Sequence, residues 1–148
     1  MPLDAHQARR EPSDSYPCAV LQPTERPLAD KFYRLHGSRM KTRPEHTVWA
    51  MRSDQLVACL CLQPMAHGQW LTSLFVDPRM RRQGLAGHLL ENACASVTGP
   101  IWLFCQPGLE QLYRSHGFAH CPSLPESLAS KLKRYQRSKD LVPMWLDN

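Results

Sequence analysis

Three apolar runs, TVWAM (47–51), LVACLCLQPM (56–65) and WLTSLFV (70–76), follow one another with only Ser53-Asp54-Gln55 and Ala66-His67-Gly68-Gln69 between them. Short apolar runs joined by short polar turns specify an antiparallel meander. The rest of the chain has to be arranged about that sheet. YPCAVLQP (16–23) reads as a strand. A helix is expected over 24–37, with Thr24 as N-cap, Leu28, Phe32 and Leu35 on one face and Gly37 as its stop. Residues 38–47 are polar and basic with a proline, and read as a loop. Beyond the meander come a helix from Gly84 to about Thr98-Gly99-Pro100, a buried strand over 101–106 and a short helix over 108–117 stopped by Gly117. A brief strand at FAHCP, an amphipathic basic helix over 124–140 and a final strand over 141–146 complete the chain. The order β-α-βββ-α-β-α-β-α-β describes an α+β, or mixed α/β, fold with about four helices around one sheet of six or seven strands.

At 148 residues the chain is most simply a single domain over 1–148, large enough to bury a core without metal or disulfide staples. Residues 1–15, MPLDAHQARREPSDS, are expected to be a flexible leader; they have no apolar stretch of the kind a secretory signal needs. No apolar run approaches the ~18–20 residues that span a bilayer, so no membrane partner is expected. Cys18, Cys59, Cys61, Cys94, Cys105 and Cys121 sit mostly in apolar stretches without zinc-site spacing, and no metal is expected. They read as reduced thiols packing as small hydrophobes in the cytoplasm. The net charge of +5 favours an anionic partner: nucleic acid, an acidic protein or a phosphorylated cofactor.

RMRRQGLAGHLL (79–90) places three arginines and two glycines where an apolar helix begins. Ala86, Leu89, Leu90, Ala93 and Val97 recur at helical spacing and would face the sheet. The first turn of a helix presents unpaired N–H groups and the positive end of the dipole, a phosphate-binding arrangement. Glycine lets backbone approach an anion closely, and arginine adds charge and forked donors. Neither G-x-x-x-x-G-K-[ST] nor G-x-G-x-x-G is present.

The stretch follows Leu74-Phe75-Val76-Asp77-Pro78, and Arg81-Arg82-Gln83-Gly84-Leu85-Ala86 fits the pattern [RQ]-x-x-G-x-[GA]. Downstream, Leu112-Tyr113-Arg114-Ser115-His116-Gly117-Phe118 fits L-Y-x-x-x-G-F, with Gln106 and Leu109 where asparagine and alanine are usual. Together, in this element order, the two motifs resemble the GNAT superfamily of acyl-CoA-dependent N-acetyltransferases. The resemblance covers roughly residues 16–146, with its diagnostic residues in 70–118. It implies a mostly antiparallel sheet whose fourth and fifth strands splay apart, with acetyl-CoA as acyl donor. Backbone N–H groups of Arg81, Arg82, Gln83, Gly84, Leu85 and Ala86 would hold its pyrophosphate. Arg79, Arg81 or Arg82 would reach the 3′-phosphate.

The resemblance also assigns cofactor contacts to Phe75 and Val76 on the fourth strand, with the Val76 N–H as donor to the thioester carbonyl. Gln106 would stand in for the asparagine that bonds the pantetheine arm. Tyr113 matches the catalytic general acid that protonates the leaving thiolate. No carboxylate lies in WLTSLFV to serve as base; Glu45, His46 and His67 flank the meander as candidates for a proton relay. Direct attack by the amine is expected, with Cys105 packing rather than carrying an acyl group.

The acceptor is an unidentified primary amine of a small molecule or protein. Arg34, Arg39, Lys41 and Arg43, with Trp70, would favour one bearing a carboxylate or phosphate. Two other readings stay open: a GNAT-like module that binds acyl-CoA without catalysis, and a basic nucleic-acid-binding protein using KLKRYQRSK (131–139). Assembly as a homodimer is left open too.

Overall fold

The computed structural model describes residues 16–148; the leader read at 1–15 lies outside the described residues. Among the described residues there are seven strands, β1 (Cys18–Val20), β2 (Thr47–Arg52), β3 (Leu56–Met65), β4 (Gly68–Val76), β5 (Ile101–Cys105), β6 (Ala119–His120) and β7 (Val142–Leu146). The helices are α1 (Arg26–Leu35), α2 (Leu85–Ala95), α3 (Glu110–Arg114) and α4 (Glu126–Tyr135). All strands join one sheet in the order β1-β2-β3-β4-β5-β7-β6, antiparallel throughout except for the β4–β5 pair. The predicted α+β class and element order are those observed.

Both faces of the sheet are covered, which explains why β3 is apolar almost without interruption. Its Ala58, Leu60 and Leu62 pack with Leu85, Leu89 and Leu90 of α2. Its Cys59 and Cys61 face the other way, against Phe32 and Tyr33 of α1. Beside α1 on that second face, Leu128 of α4 closes over Trp70 and Trp102. No helix among the described residues is long and apolar enough to cross a membrane.

Several boundaries differ from expectation. Thr24 is not an N-cap; it lies inside a 3-10 turn, Pro23–Glu25, where the Gln22 N–H donates to the Glu25 carboxylate at 2.9 Å. Ala29, Phe32 and Tyr33 are the buried face of α1, whereas Leu28 and Leu35 are 44% and 67% exposed. The helix is thus rotated relative to the leucine pattern, because two aromatic rings outweigh two leucines in filling the space over Cys59 and Cys61. The basic helix is shorter than 124–140: Pro125 precedes it, and the chain leaves it after Tyr135.

Two features of β4 prepare the site. Cys61 pairs with Thr72 and Cys59 with Phe75, so Ser73 and Leu74 together oppose Leu60 in a β-bulge. Ser73 has φ +62, and its carbonyl accepts a 2.7 Å hydrogen bond from the buried Tyr33 hydroxyl. Tyr33 thereby reaches across from α1 to hold the bulge. The second feature is the brevity of the β4–β5 ladder, which pairs only Gln69 with Ile101 and Trp70 with Trp102. Past Trp70 the strands diverge.

Candidate active site

A cavity of about 760 Å³ lies along the diverging end of β4, bounded by α2 and α3. Its β4 wall is Leu74, Phe75 and Val76. The register pairs Phe75 with Cys59 and Val76 with Ala58, and the Asp77 N–H donates to the Val57 carbonyl at 2.8 Å. In an antiparallel ladder this alternation turns the backbone groups of Phe75 toward β3 and those of Val76 away from it. Val76 therefore offers backbone to the cleft, while Phe75 offers its ring.

The next wall is the turn into α2. Asp77 is 2% exposed and caps a 3-10 turn, Pro78–Met80, accepting from the Arg79 N–H at 2.9 Å. The Arg79 guanidinium bonds both Asp77 oxygens, at 3.2 and 2.8 Å, and these bonds hold the Asp77 carboxyl below the usual carboxylate range. Arg82 then takes φ +66 and Gly84 φ +78. Gly84 is the N-cap; a Cβ there would meet nothing within 4 Å, so its glycine is required by φ rather than by crowding. The His88 N–H donates to the Gly84 carbonyl at 3.1 Å, the first bond of α2, which leaves the amides of Leu85, Ala86 and Gly87 without intrahelical partners. No acidic side chain stands in that first turn.

On the opposite side, Leu109, Leu112, Tyr113 and His116 complete the cavity. Tyr113 is 6% exposed, its ring edge-on to Phe118 at 5.8 Å between centroids. Its hydroxyl makes no hydrogen bond among the described residues. Burial, with Cys105 nearby, raises its pKa above the ordinary tyrosine value. Such a hydroxyl keeps its proton and acts as a hydrogen-bond donor.

The expected cofactor residues divide. Phe75, Val76, Arg81, Arg82, Gly84, Leu85 and Ala86 line the cavity together with Tyr113; Gln83 and Gln106 do not. Gln106 is exposed at the start of a 3-10 turn, Pro107–Leu109, its carbonyl accepting from the Leu109 N–H at 2.9 Å.

The candidate bases lie elsewhere. His46 is buried in the loop after α1, its Nδ1 accepting from the Arg43 N–H at 3.1 Å, and burial lowers its pKa. The Arg26 guanidinium secures that loop through the carbonyls of Arg43, Pro44 and His46, at 3.2, 2.9 and 2.8 Å. His67 sits at the closed end of β4, edge-on to Trp102. Glu45, His46 and His67 are all absent from the cavity lining.

A glycine at position 87 within the helical pattern implies close approach of some other group, and the structure identifies that group in the turn after α3. A Cβ on Gly87 would overlap the His116 imidazole, whose Nδ1 lies 3.0 Å from the Glu91 carboxylate. Gly87 is therefore a packing glycine, and His116, Glu91 and His88 are cavity residues without a prior assignment. The position of His116 within L-Y-x-x-x-G-F was the available signal. Cys105 is packed, as expected, with its thiol pushed up to about 11 by burial.

The sequence from residue 44 to residue 120, a little over half the chain, matches the acetyltransferase (GNAT) domain. No match to a curated protein is found by sequence. Among solved structures, the fold is similar to the ribosomal-protein-S18-alanine N-acetyltransferase of Escherichia coli, with a TM-score of 0.68 at 18% identity over 89% of this chain and 93% of that one. It is also similar to Neisseria gonorrhoeae N-acetylglutamate synthase, solved with coenzyme A and N-acetyl-glutamate, with a TM-score of 0.67 at 14% identity. That match takes in 89% of this chain but spans only 35% of the synthase. The E. coli GNAT-family N-acetyltransferase YhbS, solved with CoA, gives a TM-score of 0.63 at 15% identity over 89% of this chain and 81% of that one. At such identities the likeness is one of fold. The domain match, on a sheet that parts beside a bare helix N-terminus, shows that the chain belongs to the GNAT family of acetyltransferases.

Proposed function

We infer that the protein transfers an acetyl group from acetyl-CoA to a primary amine by direct attack. The observation that carries this reading is the cavity where β4 parts from β5 directly beside the unpaired amides at the start of α2. The residues present fit an acyl-CoA. The amides of Leu85, Ala86 and Gly87 have no intrahelical partner, a Cβ on Gly84 would meet nothing within 4 Å, and no carboxylate in the first turn repels an anion. The Val76 edge turns backbone groups away from β3, where an extended amide-containing arm would meet them.

When bound, acetyl-CoA supplies an activated acyl group on sulfur. The protein's own part is mainly placement and electrostatics. Val76 directs a fixed N–H toward the cleft, where negative charge develops on the acyl oxygen. Tyr113 places a protonated hydroxyl in the same cavity as donor to the leaving sulfur. The proton lost by the amine nitrogen is the one that ends on that sulfur, passing through the Tyr113 hydroxyl. The acceptor amine enters neutral. None of the three candidate bases lines the cavity; the titratable groups that do, besides Tyr113 and the arginines, are His88, Glu91 and His116.

The absence of the three expected bases from the cavity lining favours the second reading, an acyl-CoA-binding module without turnover. A thiol-release assay with acetyl-CoA and a panel of amino acids, polyamines, aminoglycosides and peptides separates the two. Amine-dependent release with at least one acceptor is expected. Tight acetyl-CoA binding with no release from any amine would establish the binding module instead.

A further inference from the structure

The gap between β4 and β5 opens onto both faces of the sheet, and the acyl-CoA cavity occupies one of them. Leu71, Leu103, Cys105 and Tyr113 share a core with Leu89 of α2 on that face. Trp70, Trp102 and Phe104 alternate to the other face, where Leu128 of α4 packs with them. Trp70 is the last β4 residue paired with β5, and Phe104 stands on β5 past the final pair. An amine that reaches the acyl carbon without displacing the cofactor passes over these two rings.

Their surroundings are aromatic and cationic. The Trp70 and Phe104 ring centroids lie 5.7 Å apart, and Tyr135 of α4 stands edge-on to Phe104 at 6.3 Å. The Lys131 Nζ lies 5.0 Å from the Trp70 centroid, and the Lys139 Nζ lies 6.0 Å from that of Tyr135. A cation over a ring face is held by the ring's quadrupole and still has N–H groups to offer an anion. Neither ammonium pairs with a carboxylate among the described residues. Lys131 is half-buried, where salt screens a charge less than at the open surface. The Trp70 indole N–H below it is buried and has no acceptor. Glu126, the only acidic residue of α4, sits in its first turn and reaches neither lysine. The Asp30 carboxylate of α1 is occupied by Thr42, through its N–H at 2.7 Å and its hydroxyl at 3.1 Å.

Rings flanked by unpaired ammonium groups suit an acceptor with an apolar or aromatic body and an anionic group, and repel a polycation. We propose that the acceptor is an amine bearing a carboxylate, an amino acid in chemical class, and that Lys131 selects it by binding that carboxylate while Phe104 and Tyr135 take its apolar body. The proposal rests on the direct-transfer reading above. The amine nitrogen bonds the acetyl carbon, the carbon–sulfur bond breaks, and the proton lost by nitrogen ends on the sulfur of free CoA.

The test is thiol release from saturating acetyl-CoA with L-phenylalanine, L-leucine, the amides of both, and spermidine. It compares the wild type with Lys131→Gln and Lys131→Arg, with thermal melting of each protein. The amides have the less basic amines, so a preference for the acids does not come from the supply of neutral amine. The wild type is expected to show kcat/KM roughly tenfold or more higher for an acid than for its amide, the worth of a charge-assisted hydrogen bond. Spermidine should give no release above background. Lys131→Gln should abolish the preference by raising KM for the acid, and Lys131→Arg should keep it. A wild type that serves the amides or spermidine as well as the acids overturns the proposal and leaves the transfer reading standing. So does a preference that survives in a folded Lys131→Gln. Acetyl-CoA binding with no release from any amine overturns both.

Discussion

Tyr113 combines a cavity position, a hydroxyl without a partner among the described residues, and a pKa raised by burial. The Tyr33 hydroxyl, by contrast, is tied to the Ser73 carbonyl. Because the shift is upward, Tyr113 stays protonated below the ordinary tyrosine pKa of ~10 and beyond. On the proposed reading it therefore contributes no alkaline limb to activity in the usual working range. Tyr113→Phe should lower turnover at least tenfold with acetyl-CoA affinity nearly unchanged, in line with the usual worth of a positioned proton donor. Equal turnover by the two proteins, measured as thiol release, would remove Tyr113 from the mechanism. At this scale the sequence was most readable where function is local. Gly84 and Tyr113 sit in short motifs, and both line the cavity. Gly87 was readable only as a close approach, since the group that comes close, the His116 ring, arrives from the turn after α3.

Among the elements, the β4–β5 pair decides where the cleft starts. The Gln69 N–H donates to the Pro100 carbonyl at 2.9 Å, and a Cβ on Gly68 would overlap that same carbonyl oxygen. The backbones meet there because one residue has no side chain. Gly68→Ala should force them apart at the one place where they are joined. Overpacking against backbone costs about 1–3 kcal/mol, and the urea midpoint should fall accordingly. A variant as stable as the wild type would show that the strands are held by their flanks instead. The three-strand meander was legible from turn spacing, and the order of all the elements followed from apolar periodicity. The orientation of α1 was not. Periodicity gave Leu28, Phe32 and Leu35 equal claims, and only the shape of the sheet surface chose Phe32 and Tyr33. The bulge at Ser73 left no trace in composition either, because serine has no preference for a positive φ and Tyr33 holds it from a distant helix.

Across the whole molecule, four thiols couple stability to pH. Burial pushes Cys61 and Cys94 up to about 12 and Cys105 to about 11, and moves Cys59 upward as well. In the unfolded chain a thiol ionises near ~8.5. A raised folded pKa means that the contribution is complete below that value and is lost as pH climbs toward the folded one. Each thiol withdraws about 1.4 kcal/mol per pH unit over that interval. Stability by urea titration should hold level between about pH 7 and 8 and fall steeply between about 9 and 11. A flat profile to pH 10.5 would mean that these thiols ionise as readily folded as unfolded.

The same scale reveals a seam. Strands β1 to β4 form one half-sheet and β5, β7 and β6 another, and only two residue pairs of ladder join them. An extended chain of amides lying against the outward-turned backbone of Val76 would act as a surrogate eighth strand, stitching the halves from inside. Loading and stiffening would then be one event. At a hundredfold excess over its dissociation constant such a ligand contributes about 2.7 kcal/mol to the folded state. The protein would be loosest while it waits, and most nearly a continuous sheet when its cargo is in place.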